Sequence, residues 1–404
     1  MSTSLLYHGF GIRGYHSLRT KYEEGAVMFM IGQPRHTLRC PDCGSRDVHR
    51  RGQLRRTLQH LPIGGKPVFL ELDVARVHCQ NCRTIRRVNV PFADDRRVYT
   101  RAFARYVLEL RRSMTIADVA NHVGVSWWLV KDIEQRHLQK HYARPRLKQL
   151  RRIAIDEISI GKGHRYLTIV LDLGSGAVVH VGDGKGGEAL KPFWKRLRAS
   201  RAKIEAVATD MSPAYIAAVL EHLPEAALVF DRFHVVKLFN EKLSDFRREL
   251  YREATDALHR QVLKGTRWLL LKNPDNLDDS RDEPARLEQA LQLNQPLATA
   301  YYLKEDLRQF WAQTSRAAAE RFLRRWCARA RASGIRFLQK FANTLEGHRR
   351  GLLAWYDHRI STGPLEGTNN KIKTMQRQAY GFRDQDYFRL KIYALHESRY
   401  RLVG

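Results

Sequence analysis

The sequence lacks any long apolar run. Stretches such as YLTIVL, Tyr166 to Leu171, fall far short of the ~20 residues that cross a membrane. The opening MSTSLLYHGFGIRG has no charged start followed by an apolar core, so no signal peptide is expected. There is no Walker loop, which argues against a P-loop nucleotide-binding framework. There is also no internal repeat and no low-complexity tract. Cysteine is scarce: five occur in 404 residues, four of them in two CxxC pairs. That usage suits a metal in a reducing cytoplasm better than a disulfide framework. Acid is scarce as well. Asp and Glu number 42 against 71 Lys and Arg, a net charge of +29, and the cations recur along the whole length. A polyanion is the expected partner, DNA or RNA first. Hydrophobic residues, at 43%, suffice for real cores, and the length suggests several domains.

What is present falls into blocks. Residues 1 to about 95 read as short strands and turns. GAVMFMIG and PVFLELDVARVHC are the clearest, the latter with Val68, Leu70, Leu72, Val74 and Val77 largely in alternation. Beside them lie CPDC (Cys40, Cys43) and CQNC (Cys79, Cys82). Two such knuckles on a β-hairpin set four thiolates around one structural Zn²⁺. His78 is a possible substitute ligand, and Cys327 stands alone in a helix. From 99 to 145 the spacing becomes helical, with a helix-turn-helix over MTIADVANHVGVSWWLVKDIEQRHLQKH. Gly124 suits its turn and Ser126 its second N-cap. That second helix offers Trp127, Trp128, Lys131 and Arg136 to DNA; the pattern does not say which tryptophan packs inward.

After the basic linker HYARPRLKQLRR come three strands (RRIAIDEISI, RYLTIVLDLGSG, AVVHVGDGKGG), then helix, strand, helix, strand. This β-β-β-α-β-α-β order matches the ribonuclease H-like fold; a doubly wound nucleotide fold would alternate from the start. From about 240 to 355 the chain is helical and charged, which reads as an insertion. Within it, Trp268 and Trp311 are candidates to stack on a distorted base, although core packing is the commoner use of tryptophan.

Three acids occupy special places. Asp156 ends the first strand, at the close of its apolar run, Asp210 ends the fourth strand, and Glu366 heads a helix after the insertion. Glu157 rivals Asp156 but points to the opposite face of the strand; Asp231 rivals Asp210. Three carboxylates gathered at one point repel unless cations lie between them. Two Mg²⁺ (or Mn²⁺) ions about 3.5–4 Å apart would satisfy them and support phosphoryl transfer. Glu366 is the only acid in PLEGTNNKIKTMQRQAYGFR. Asn369, Asn370, Lys371, Lys373, Arg377 and Arg383 surround it and suit contacts with DNA phosphates.

With these residues in view, the chain resembles the bacterial insertion-sequence transposases of the ISL-three group along almost its whole length. The likeness rests on the CxxC–CxxC ribbon, the helix-turn-helix, IDEISIGKGHRY, TDMSPAY, VFDRFHVVKLFN, LLLKNPDNL and STGPLEGTNNKIKTMQRQAYGFRD. It implies a DDE transposase with Asp156, Asp210 and Glu366 as the metal-binding triad, and with Asp231 and His234 as a supporting D-x-x-H element. It implies a multidomain α+β and α/β architecture. A zinc ribbon (1–95) leads to a helix-turn-helix with its linker (96–150). A mixed-sheet catalytic core (151–240) is interrupted by an all-helical insertion (241–357) and completed by 358–404, which carries Glu366. The expected substrate is double-stranded DNA, the inverted repeats and the target, held by a homodimer in the bacterial cytoplasm at the nucleoid, with no membrane. A structure-selective nuclease or resolvase on the same fold would need no N-terminal sequence reader. A domesticated DNA-binding regulator would have lost at least one of the acids, and all three are intact.

Overall fold

Alternating apolar residues in PVFLELDVARVHC require a sheet with one buried face. The computed structural model, which describes residues 4–161 and 163–396, contains that sheet. A short helix α1 (Leu5–His8) precedes strands β1 (His16–Glu23), β2 (Ala26–Gly32), β3 (Val48–Ile63), β4 (Lys66–Cys79) and β5 (Ile85–Arg87). Their order is β1-β2-β4-β3, with β5 also on β4. The antiparallel β3–β4 hairpin is much longer than the short strands expected from sequence: β3 alone has 16 residues. The first half of β3, VHRRGQLR, lies exposed at the sheet edge, so it carries no apolar alternation to betray it. Gly64 and Gly65 turn the tip, both at positive φ. Val68, Leu70, Leu72 and Val74 of β4 pack with Val27, Phe29 and Ile31 of β2 and with Leu6 and Ile12.

Three helices follow, α2 (Arg101–Leu110), α3 (Ile116–Val123) and α4 (Trp127–Tyr142). Thr115 and Asp118 form a capping box at the head of α3, and Gly124 ends it in the left-handed conformation. Ser126 Oγ accepts the Leu129 N–H at 3.2 Å and so caps α4, as expected. Val119, Ala120, Val123, Val130 and Ile133 close on Phe103 and Val107. Sheet and helices belong to one compact unit that runs to His141. Gln59 of β3 joins them: its backbone pairs with Val98 and Thr100, and its Nε2 donates to the Val123 carbonyl. Next to it, buried His60 shares a 2.8 Å hydrogen bond with Thr100 Oγ1, the N-cap of α2.

The second unit begins at Tyr142. Its strands and helices run β6 (Arg152–Gly161), β7 (Arg165–Asp172), β8 (Val178–Asp183), α5 (Gly187–Ser200), β9 (Ala206–Thr209), α6 (Pro213–His222) and β10 (Ala227–Phe230). The sheet order is β10-β9-β6-β7-β8, with β6, β7 and β8 antiparallel and β9 and β10 parallel to β6. This is the ribonuclease H-like arrangement that the element order implied. Helices then follow without a described strand: α7 (Arg232–Glu253), α8 (Ala257–Gly265), α9 (Arg267–Leu271), α10 (Glu283–Leu293), α11 (Gln295–Arg308), α12 (Arg316–Ala332), α13 (Arg336–Gly347), α14 (Arg349–Leu353), α15 (Trp355–His358), α16 (Gly363–Gln378) and α17 (Gln385–Tyr393). Phe239, Trp326 and Phe341 anchor the core of the helical region, and Cys327 lies buried within it.

The sheet has two covered faces. Ile153, Ile155 and Val207 meet Leu190, Phe193 and Trp194 of α5 and Tyr215 of α6. On the other face, Ala154, Ile158, Ala208 and Val229 meet Leu365 and Ile372 of α16 and Phe388 of α17. Alternate residues of one strand thus serve opposite layers, which decides the face on which each acid emerges.

Burial pushes the His60 imidazole down to about 4, so the folded unit holds it neutral. A depressed histidine contributes stability in full above its unfolded value of about 6.5. That contribution is lost as pH falls from there toward 4. The N-terminal unit will therefore melt at lower temperature across this window, and His60→Gln will flatten the slope. Thermal melts of both proteins from pH 7.5 to 4.5 check it.

Candidate active site and metal centre

The zinc knuckles meet at the open end of the β3–β4 hairpin. Cys40 and Cys43 lie in the loop before β3, Cys79 ends β4 opposite Val48, and Cys82 lies in the turn to β5. All four sulfurs fall within 4.8 Å of one another, with Cys40–Cys82 and Cys43–Cys79 at 3.5 Å. A tetrahedral zinc at ~2.3 Å from each sulfur needs edges of about 3.8 Å, so the donor set fits one ion. The local hydrogen bonds favour thiolates unevenly. Thr84 holds Cys82 down at about 6, and the Cys43 N–H lowers Cys40. The N–H of Ser45 favours a Cys43 thiolate, but Cys79 and the crowded sulfurs push that thiol up to about 11. Four like charges in this space need a cation, and these four residues would hold it. His78 is not part of the cluster.

The carboxylates are arranged by strand register. β6 pairs in parallel with β9 as Arg152↔Ala206, Ile153↔Val207 and Ala154↔Ala208. The same offset, carried two residues on, sets Asp210 level with Asp156. β9 pairs with β10 through Phe230↔Thr209, so Asp231 comes level with Asp210. Three aspartates therefore form one row across adjacent strands, on the face that α16 covers. One expectation is corrected here: Asp156 does not end its strand, since β6 continues to Gly161. The apolar run stops at Asp156, while β6 keeps pairing with β7 as far as Gly161↔Arg165.

α16 spans this row. Thr362, at its head, donates to Asp231 Oδ2 at 2.7 Å, both side chains being buried. Asn369 Nδ2 donates to Asp156 Oδ2 at 3.0 Å. Thr362, Glu366 and Asn369 lie within about 60° of one another around the helix, so they share one stripe. Glu366 stands between the two clasps, exposed, its carboxylate making no hydrogen bond or ion pair with another described residue. Among the described residues, Asp156, Asp210 and Glu366 do not form one close group of metal-ligating atoms as the four cysteines do.

Electrostatics single out Asp156, whose carboxyl is raised to about 6, first by burial. His234, in the first turn of α7, and the Glu157 N–H pull it down, while the charges of Glu157 and Asp210 push it up. Glu157 interacts instead with Tyr215, on the α6 side of the sheet, consistent with the expected alternation. Carboxylates at one end of parallel strands, one of them hard to ionise alone, make a donor set suited to hard divalent cations.

The other expected contacts separate. Trp127 and Trp128 are both exposed, at 41% and 71%, so neither is core. They meet edge to face, and Lys131 Nζ lies 5.7 and 5.5 Å from their rings. Arg136 pairs with Asp132 at the helix surface. On α16 and beyond, Asn370, Lys373, Arg377 and Arg383 are exposed and Lys371 is half-buried. Asn369 is different: it is buried and turned to Asp156, because it shares the inward stripe with Thr362. Trp311 is core, whereas Trp268 is 64% exposed with the Arg267 guanidinium 4.7 Å from its ring. Thr362 is a residue that the sequence reading missed. Its spacing from Glu366, one helical turn, was the available signal.

A basic ribbon and helix-turn-helix, together with a ribonuclease H-like core that sets aspartates level across its sheet, define a DNA-processing enzyme of the DDE class. Three family profiles match in the same order along the chain. Residues 36–82 match the zinc finger of the transposases of IS204, IS1001, IS1096 and IS1165. Residues 88–138 match the helix-turn-helix domain of transposase family ISL3, and residues 153–392 its DDE transposase domain. The chain is 34% identical over 390 residues to the transposase for insertion sequence element IS1001 of Bordetella parapertussis, covering 95% of this chain and 96% of that one. It is 31% identical over 388 residues to the transposase for IS1557 of Mycobacterium tuberculosis, covering 89% and 86%. The chain belongs to the ISL3 family of insertion-sequence transposases. Among solved structures, the Drosophila P element transposase strand transfer complex is a distant likeness (12% identity, TM-score 0.34, 66% of this chain and 81% of that one) and carries no weight here. No described helix is long and apolar enough to cross a membrane.

Replacing Cys40 by Ser should reduce bound zinc from one equivalent and weaken binding to DNA ends in parallel. Atomic absorption and a gel-shift titration measure the two, and one zinc per chain in the variant would remove Cys40 from the ligand set.

Proposed function

We propose that this transposase cuts and joins the ends of its element at Asp156, Asp210 and Glu366, which would hold two Mg²⁺ or Mn²⁺ ions. The single observation that carries this reading is the row Asp156–Asp210–Asp231 in strand register beneath a helix stripe that carries Glu366 between its two clasps. Bound there, divalent ions would supply charge neutralisation and nucleophile activation. The residues of the chain do the rest. The Glu157 N–H and Asn369 fix the Asp156 carboxylate. His234 sits close enough to Asp156 to steady its charge. Asp231 serves to hold the head of α16 through Thr362, a supporting part rather than a third ligand of the row. Lys373, Arg377 and Arg383, with Asn370 and Lys371, neutralise DNA phosphates along the exposed side of α16 and beyond.

In cleavage, a water oxygen attacks the phosphorus at the element end and the bridging 3′ oxygen leaves. In joining, that 3′-hydroxyl oxygen attacks a target phosphorus, and the target's own 3′ oxygen on that phosphorus leaves as a 3′-hydroxyl. One in-line displacement serves both steps. The terminal inverted repeats would be read by the N-terminal unit, with Trp127, Trp128, Lys131 and Arg136 on α4 directed to the groove and Ser126 capping that helix. The division of labour follows the five segments 1–95, 96–150, 151–240, 241–357 and 358–404. A homodimer is required to hold two ends at once, and the setting is the bacterial cytoplasm at the nucleoid.

Each of Asp156→Asn, Asp210→Asn and Glu366→Gln is expected to lower cleavage and joining by at least about a hundredfold, the scale lost with one charge-stabilising group in an active site. Binding to the inverted repeats should persist. Incubation with an end-bearing substrate and Mn²⁺, with sequencing of joined products, measures this; full activity in any variant removes that acid from the triad.

A further inference from the structure

Asn369 lies in a basic helix, where a DNA contact is the natural expectation, yet its side chain faces the protein. It is 6% exposed, and Nδ2 donates to Asp156 Oδ2 at 3.0 Å. The other oxygen, Asp156 Oδ1, accepts the Glu157 N–H at 2.9 Å. Each oxygen thus has one fixed donor, and the carboxylate plane is set. An ionised carboxylate only accepts, so the amide must present its nitrogen. That leaves Asn369 Oδ1 buried with no hydrogen-bond partner among the described residues. Orphaned buried acceptors are rare and commonly mark a place completed by water or an ion. The Asn369 amide carries both atoms on one carbon, so the orphaned oxygen belongs to the same small region as the Asp156 carboxylate.

The bond also acts along α16. Two turns further on, Gln376 Nε2 donates to the Ile160 carbonyl of the same strand at 3.2 Å. Thr362 clasps Asp231 two turns before. The helix is thereby pinned at two points on β6 and at one beyond β10, and Glu366 falls one turn before the Asn369 clasp. Shortening Asn369 would release both the Asp156 rotamer and the register of Glu366 above it.

We propose that Asn369 is a positioning residue of the active site: it orients the Asp156 carboxylate for a divalent cation and, through α16, sets the separation of Asp156 from Glu366. The proposal rests on the triad reading given above. Supporting partners of this kind are typically worth 10–100-fold in metal affinity or activity.

The test uses the full, zinc-loaded chain with Asn369→Ala, the near-isosteric Asn369→Leu, and Asp156→Asn as a control. Mn²⁺ binding is measured by calorimetry, the Mn²⁺ dependence and kcat of end cleavage by single-turnover assay, and metal-free end binding by gel shift. For both Asn369 variants the half-saturating Mn²⁺ should rise about 10–100-fold, and kcat should fall, with end binding and metal-free melting temperature unchanged. Unaltered Mn²⁺ binding and kcat in Asn369→Leu, with Asp156→Asn inactive, overturns the inference and leaves the triad standing. Weakened end binding with normal Mn²⁺ dependence would make Asn369 a DNA contact instead and also overturns it. Failure of both variants to fold would assign Asn369 to stability alone. Normal activity and Mn²⁺ binding in Asp156→Asn would overturn the triad reading itself.

Discussion

Charges of one sign set level on adjacent parallel strands repel, and this constraint shapes the second unit. Neighbouring strands lie about 4.8 Å apart. Two carboxylates about 5 Å apart cost about 3 kcal/mol at an effective dielectric of ~20. The sheet nevertheless places Asp156, Asp210 and Asp231 in one row. Neighbouring groups bear the cost unequally. Asp231 is buried and takes a hydroxyl from Thr362. Asp156 takes an amide and a backbone N–H and still sits up at about 6. Among the described residues, the Asp210 carboxylate, in the middle, takes the Ser212 N–H alone, at 3.0 Å. Two members of the row are thus tied to α16, and the central one is not.

The same helix explains how a residue far along the chain joins a site begun at residue 156. α16 buries Leu365 and Ile372 on the sheet and shows Lys373 and Arg377 outward. The stripe Thr362, Glu366, Asn369 borders the buried side, and Lys373 continues it by one turn. The solitary acid of a basic segment therefore lies on the stripe that faces the aspartate row. In the N-terminal unit a different device gives a fixed geometry. Gln59 and His60 of β3 bind the backbone and N-cap that start the helical part, so ribbon and helix-turn-helix share a hydrogen-bonded seam.

Different stretches of the chain were legible to different degrees because different physics was at stake. The order of strands and helices in the core was legible, since each buried strand is an apolar run of its own. The two CxxC pairs announced a metal by chemistry and spacing. β1 and the first half of β3 were not legible, because edge strands with solvent on them carry arginines and histidines in place of alternation. The first strand was ended too early, at Asp156 where its apolar run stops, because pairing with β7 needs no apolar side chain.

Local chemistry determined much by itself: the polyanion partner from the charge, the thiolate cluster from four cysteines, the capped helix-turn-helix from Thr115, Gly124 and Ser126, and the acids worth watching. These depend on residues near one another or on composition, which a one-dimensional reading holds complete. Only the tertiary structure decided that Asp231 belongs to the same row yet faces Thr362, that Asn369 turns inward to Asp156, and that both tryptophans of the second helix stay outside. Each depends on which strand lies beside which and on how a helix is rotated over the sheet, and these follow from packing across hundreds of residues.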